Sequence, residues 1–180
     1  MQNSPMHILI DGYNLIRQSI RLRRFERQSL EAGRSALVAW LSEYQSGKNH
    51  RITVVFDGWI NGPAQEERDY SSGIHILYSS RGVKADDVLK RITAAADEEI
   101  LVVSSDREVS SYAIRRGKAT LSSLEFESIV DKFLAAPANN AFSGQKEEDE
   151  EEDNHPANKK GPARKLSRAR RQAQTKIRKL

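Results

Sequence analysis

The 180-residue sequence contains no cysteine. Disulfides, thiolate-held zinc and a cysteine nucleophile are excluded together, so any metal must be held by oxygen or imidazole. The four histidines, His7, His50, His75 and His155, show no ligand spacing, and none is assigned to a metal or to catalysis. Long apolar runs are also missing: nothing approaches the roughly 20 residues that a membrane-crossing helix needs. The opening segment, Met1–Ile10, has neither a basic n-region nor a small-residue cleavage site, so it does not read as a secretory signal. A cytoplasmic protein with no membrane partner is expected.

What the chain does have is charge, unevenly spread. Its net charge is +4, yet residues 1–136 carry 18 basic and 18 acidic side chains, and the remainder carries 11 and 7. The excess therefore belongs to the C-terminal segment. The composition predicts one α/β domain over 1–136, followed by a disordered acidic-then-basic tail over 137–180. In that tail Glu147–Asp153 is a run of acids, and ten Lys/Arg follow between Lys159 and Lys179. Such blocks bury little apolar surface.

Within the first 136 residues, three β-branched apolar runs, His7–Ile10, Ile52–Phe56 and Leu101–Val103, predict strands buried on both faces. Ile74–Tyr78 is a weaker fourth, and Lys118–Leu121 would fit a short fifth. Helical spacing falls between them. Leu30, Leu37, Trp40, Leu41 and Tyr44 follow Ser29 as N-cap and end at Gly47. Val88, Leu89 and Ile92 define a helix from near Asp86. A third helix runs from about Asp106 to Arg116 and stops at Gly117. The last begins at a Ser122/Glu125 capping box and carries Leu124, Ile129, Phe133 and Leu134. The alternation predicts a three-layer sandwich with a central parallel sheet.

The acids fall at informative places. Asp11 ends the first strand, Asp57 ends the second and Asp106 follows the strand Leu101–Val103, while Asp86 and Asp87 open a helix. In an open parallel sheet the C-terminal strand ends share one edge, where ligands bind. Two unit charges about 4 Å apart repel by roughly 4 kcal/mol at an effective dielectric of about 20. A hard divalent cation, Mg²⁺ or Mn²⁺, relieves such a cluster and activates water against a phosphodiester, leaving 5′-phosphate and 3′-hydroxyl ends. Each acid alone has a plainer reading. Asp57-Gly58 is a common turn pair, Ser105 with Glu108 resembles a capping box, and Asp86 and Asp87 suit the first turn of a helix. A signalling receiver would want paired acids after the first strand, where Gly12-Tyr13 stands. A dinucleotide enzyme would want a glycine-rich loop, which is missing, and a haloacid-dehalogenase-type phosphatase would want Asp-x-Asp.

Asp11-Gly12-Tyr13-Asn14-Leu15-Ile16, Val54-Val55-Phe56-Asp57, Ala85-Asp86 and Ser105-Asp106, in this order, resemble the YacP-like branch of the NYN domains, within the wider PIN-like nuclease superfamily. The resemblance covers about residues 6–135. It implies a PIN-like fold, a metal-dependent endoribonuclease acting on RNA, and for some bacterial members a link to mRNA or the ribosome. It also implies Asp11, Asp86 and Asp106 as metal ligands and Asp57 as an accessory acid. Asn14 would orient Asp11 or a metal-bound water, and Ser105 would support the site. Two positions depart from the pattern: Lys90 stands where an acid is frequent and Ser110 where a glutamine is frequent. These departures keep a non-cutting RNA- or ribosome-binding module of the same fold in play.

Arg17, Arg21 and Arg24, in the basic segment after the first strand, and Arg81 and Lys84, before the Asp86 helix, are candidate contacts to single-stranded RNA. A solvated helix face is the alternative for the first group. Tyr13 and Tyr78 read as packing residues more than base platforms, Trp40 as core, and Trp59 as a loop residue in reach of substrate. The basic tail suits salt-sensitive RNA or ribosome binding, tempered by the acidic block.

Overall fold

A computed structural model describes residues 5–58 and 62–136. Trp59 and the charged tail lie outside the described residues. In chain order the elements are β1 (His7–Asp11), α1 (Gly12–Gln18), α2 (Ile20–Glu26), α3 (Leu30–Gly47), β2 (Arg51–Phe56), β3 (Glu67–Ser71), β4 (Ile74–Tyr78), α4 (Ala85–Ala95), β5 (Ile100–Val103), α5 (Arg107–Arg115), β6 (Ala119–Leu121) and α6 (Ser123–Ala135).

The strands form one six-stranded sheet in the order β3-β4-β2-β1-β5-β6, parallel except for β3, which runs antiparallel to β4 at the edge. Successive residues of a strand face opposite sides, and here both sides are covered. Ile8, Ile10, Ile52, Val54 and Phe56 pack under α1, α3 and α6 with Leu15, Leu37, Leu41, Tyr44 and Phe126. Leu9, Val55, Leu77, Ile100 and Val102 pack under α4 and α5 with Val88, Leu89, Val109 and Ala113. This is the expected three-layer sandwich. β1 lies between β2 and β5. The connection leaving β1 covers one face and the connection leaving β5 the other, so the chain diverges above the C-terminal ends of β1 and β5. A crevice opens at such a point.

Three elements differ from the sequence reading. β3 is an added strand whose residues, Glu-Arg-Asp-Tyr-Ser, are mostly exposed, so no apolar pattern announces it. It is held by pairing with β4 across a two-residue turn in which Ser72 and Gly73 have φ of 51° and 85°, the backbone of a primed hairpin turn. The arginine-rich segment after β1 forms two short helices, with Ser19 capping the second through Leu22 N–H. In α6, Leu124 points outward at 53% exposed, and Phe126 and Val130 form the buried face.

The predicted caps appear where expected. Ser29 accepts from Ala32 N–H, Ser122 and Glu125 form a capping box, and Gly117 ends α5 with φ of 70°. Gly47 also ends its helix, for a different reason: a Cβ there would come within 2.6 Å of the Phe133 ring.

Candidate active site

The crevice is a cleft of about 840 Å³ lined by Asp11, Asn14, Asp57, Asp86 and Asp106 on its acidic side. Four separate segments deliver these groups. Gly12, next to Asp11, allows the approach. A Cβ on it would lie 2.5 Å from Phe56 Cε1 and 2.9 Å from Val54 Cγ1, so only glycine lets α1 start this close to β2.

Asp11 is the N-cap of α1 and only 7% exposed. Its Oδ1 accepts from Asn14 N–H at 3.2 Å, and its Oδ2 accepts from Ser104 Oγ–H at 3.0 Å. Burial pushes its carboxyl up to about 6. The two hydrogen bonds pull the other way, and the charges of Asp86 and Asp106 push it further up. The Asp86 carboxyl is raised as well, first by burial and then by Asp106, against an opposing pull from Lys90. Asp11, Asp86 and Asp106 thus feel one another across the cleft.

Asp106 caps α5, its Oδ1 accepting from Glu108 N–H at 2.7 Å and Val109 N–H at 3.1 Å. The cap is therefore Asp106, and the Ser105/Glu108 capping box does not form. Ser105 instead donates its N–H to Asn14 Oδ1 at 2.8 Å, and its Oγ accepts from Ser123 N–H at 3.1 Å. Asn14 Oδ1 also accepts from Ser123 Oγ–H at 2.7 Å. The amide of Asn14 thus fastens the 104–106 turn to the start of α6, and it is the Asn14 backbone N–H that meets Asp11.

Sequence reading missed Ser104. Its hydroxyl donates to Asp11 and accepts from Asp106 N–H at 3.1 Å, tying two of the acids through one side chain. A serine pair before an aspartate at a strand end was the available signal, and it was credited to Ser105 alone.

Asp57 is exposed at the end of β2 and lines the cleft. Gly58 beside it is not a positive-φ turn residue. A Cβ there would sit 2.0 Å from Ser79 O, and Gly58 N–H donates to Ser79 Oγ at 2.8 Å. Close approach of two loops, not turn conformation, explains the Asp-Gly pair.

The two departures from the family pattern have places. Lys90 is ion-paired with Glu108, and Ser110 Oγ–H donates to Ser104 O at 3.1 Å. Of the candidate RNA contacts, Arg17 and Lys84 line the cleft. Arg21, Arg24 and Arg81 are not among its lining residues. Arg21 pairs with Asp131 at 3.2 Å and lies over the Trp40 ring, and Arg24 and Arg81 are exposed elsewhere. The Tyr13 and Tyr78 rings are packing residues, both in contact with Phe56.

The donors offered are all oxygen and share negative charge, which is the chemistry of a hard divalent cation site. As the side chains are placed, no group of three or more acids or histidines among the described residues closes around a metal position.

A parallel α/β sandwich with carboxylates gathered above its central strands is the architecture of the PIN-like, nuclease-like domains. The chain belongs to the YacP-like NYN domain family, whose model matches residues 8–179, reaching past the described residues into the charged tail. It is 28% identical over 102 residues to the uncharacterised protein YacP of Bacillus subtilis (strain 168), a match covering 55% of this chain and 59% of that relative's length. The chain thus spans less than two thirds of the curated relative. It resembles the crystal structure of a tryptophan-to-leucine mutant of Rae1 (YacP) from Bacillus subtilis, with a TM-score of 0.59, 25% identity, and coverage of 71% of this chain and 76% of that one. A second Rae1 (YacP) structure from Bacillus subtilis, at 24% identity and a TM-score of 0.58, covers 69% and 73% and supports the fold. The family points to a nuclease-related function on RNA. Among the described residues no helix is long and apolar enough to cross a membrane.

Proposed function

We propose that this protein is a metal-dependent endoribonuclease that cuts single-stranded RNA, with mRNA, free or on the ribosome, as its substrate in the cytoplasm. One observation carries the reading. Four separate segments bring Asp11, Asp57, Asp86 and Asp106 to one cleft, with Asp11 buried there; burial first, and then the charges of Asp86 and Asp106, push its carboxyl up to about 6. Crowding acids around a buried carboxylate opposes its ionisation, and a cation relieves that.

Asp11, Asp86 and Asp106 would hold Mg²⁺ or Mn²⁺, with Asp57 as a further acid on the rim. The ion, when bound, supplies an activated water and neutralises charge on the phosphodiester. The chain's own part is positional. Ser104 and the Asn14 backbone fix the Asp11 carboxylate, the α5 cap fixes Asp106, and Arg17 and Lys84 offer cations to neighbouring phosphates.

The test is cleavage of a mixed RNA pool by the purified full chain, with and without Mn²⁺ and with and without ribosomes, beside Asp11→Asn. Expected is Mn²⁺-dependent cleavage that the substitution abolishes. Cleavage equal in the variant, or none under any condition, overturns the reading. A second reading is an RNA- or ribosome-binding module that does not cut. The Lys90–Glu108 pair favours it, because it sets a cation beside Asp86. RNA binding without cleavage in Mn²⁺ would establish it.

A further inference from the structure

Arg34 also lines the cleft. On α3, Arg34 lies in line with Leu37, Leu41 and Tyr44, which are fully buried, and with Leu30, which is exposed at the helix start. The arginine in this row is half-buried and lines the same cleft as the acids. Its guanidinium donates to Tyr13 Oη at 2.9 Å and lies 5.6 Å from the centre of the Tyr78 ring.

Arg17 pairs with Glu26, Arg21 with Asp131, Arg51 with Glu98, and Arg68 and Arg91 with Glu66, and the described arginines outside these pairs, Arg34 apart, are exposed. Among the described residues no acid pairs with Arg34, and its one hydrogen bond goes to a neutral phenol. A guanidinium keeps its charge at any working pH, and partial burial without a counter-ion is unfavourable until an anion arrives.

The rings around it are braces. Phe56 stacks on Tyr78 at 5.6 Å and meets Tyr13 edge-on at 5.2 Å, and Arg17 lies 5.2 Å over Tyr13. They fix the arginine more than they offer faces to a base. A second groove of about 350 Å³, between α3 and the β3–β4 hairpin, shares Arg34 and Tyr78 with the cleft and is lined by Glu31 and Asp69 as well, so a phosphate is favoured at the cleft side of Arg34.

We infer that Arg34 is the fixed anchor for a backbone phosphate that is not cut, holding the RNA strand against the acidic wall. This rests on the endoribonuclease reading and adds a binding site to it. The planar fork suits phosphate oxygens, and most of its N–H donors remain for the ligand.

The experiment is binding of a short 5′-labelled oligouridylate to the full chain in EDTA, over a salt series. Arg34→Gln is expected to weaken binding about tenfold, and to make the slope of log affinity against log salt shallower by about 0.7, the value for one phosphate contact on a single strand. Arg34→Lys is expected to restore the slope without the full affinity, because an ammonium lacks the fork. Tyr13→Phe keeps the ring and removes the oxygen that holds the guanidinium. It is expected to weaken binding about threefold at unchanged slope. Wild-type affinity and slope in Arg34→Gln, while Arg17→Gln lowers both, would overturn the anchor and leave the RNA reading standing. If Arg34→Gln fails to fold by thermal melting, wild-type affinity in both Arg34→Lys and Tyr13→Phe overturns it. A wild-type chain that neither binds nor cuts RNA overturns the anchor and the function together.

Discussion

Among the described carboxylates only Asp11 is buried, and Asp11→Asn removes its charge while keeping its shape. The carboxyl moves from 3.8 to about 6 on folding, and at about 1.4 kcal/mol per unit this opposes folding by roughly 3 kcal/mol above the window. Between those two values the native chain keeps a proton that the unfolded chain has lost, so stability falls as pH rises through the window and is flat beyond it. Asparagine has no such window. Its amide pairs less well with Asn14 N–H and Ser104 Oγ, a loss of about 1 kcal/mol. The variant should therefore be more stable than wild type by about 2 kcal/mol at about pH 8, and the gap should narrow by roughly 1.4 kcal/mol at about pH 5. Urea unfolding of the full chain in EDTA, followed by circular dichroism, measures both. Excess Mn²⁺ should then stabilise wild type and leave the variant unmoved, since an ion that binds only the native state shifts the equilibrium by mass action. A variant no more stable than wild type at either pH would refute the claim that the cleft holds Asp11 under electrostatic stress.

Two further outcomes follow from the packing. Gly12→Ala places a methyl 2.5 Å from Phe56 Cε1, so thermal unfolding should register a loss of about 1–3 kcal/mol from overpacking, with reduced RNA cleavage because Asp11 moves with α1. Arg17→Gln should weaken oligouridylate binding while Arg21→Gln leaves it within about twofold, because Arg17 lines the cleft and Arg21 does not.

The strands of the central sheet were legible because they are covered on both faces. Residues such as Ile8-Leu9-Ile10 and Leu101-Val102-Val103 have no polar face to present, and an uninterrupted apolar run is the only composition that fits. Asp11, Asp57, Asp86 and Asp106 were legible for a related reason: each marks where a buried strand or helix start meets solvent at one sheet edge. What escaped is what depends on partners distant in sequence. β3 is polar and owes its existence to the edge of β4. Leu124 turned out exposed and Phe126, which the spacing did not single out, is buried, since helical spacing alone does not say which of two adjacent stripes meets α3. Arg34 broke an apolar row, and that interruption was the signal; its meaning needed Tyr13 and Tyr78, one before it in the chain and one well after. Ser104 looks like any strand-end serine until Asp11, 93 positions earlier, accepts its hydrogen.

Asn14 receives Ser105 N–H and Ser123 Oγ–H on one oxygen, and this sets an order of assembly. Most of the cleft is encoded by residue 106, but the clasp that steadies its last acid is supplied by the first residue of α6. A nascent chain that has not yet emitted Ser123 therefore carries every carboxylate without the fastening. Synthesis from the N-terminus leaves completion of the cleft to one of the last folding events of the domain.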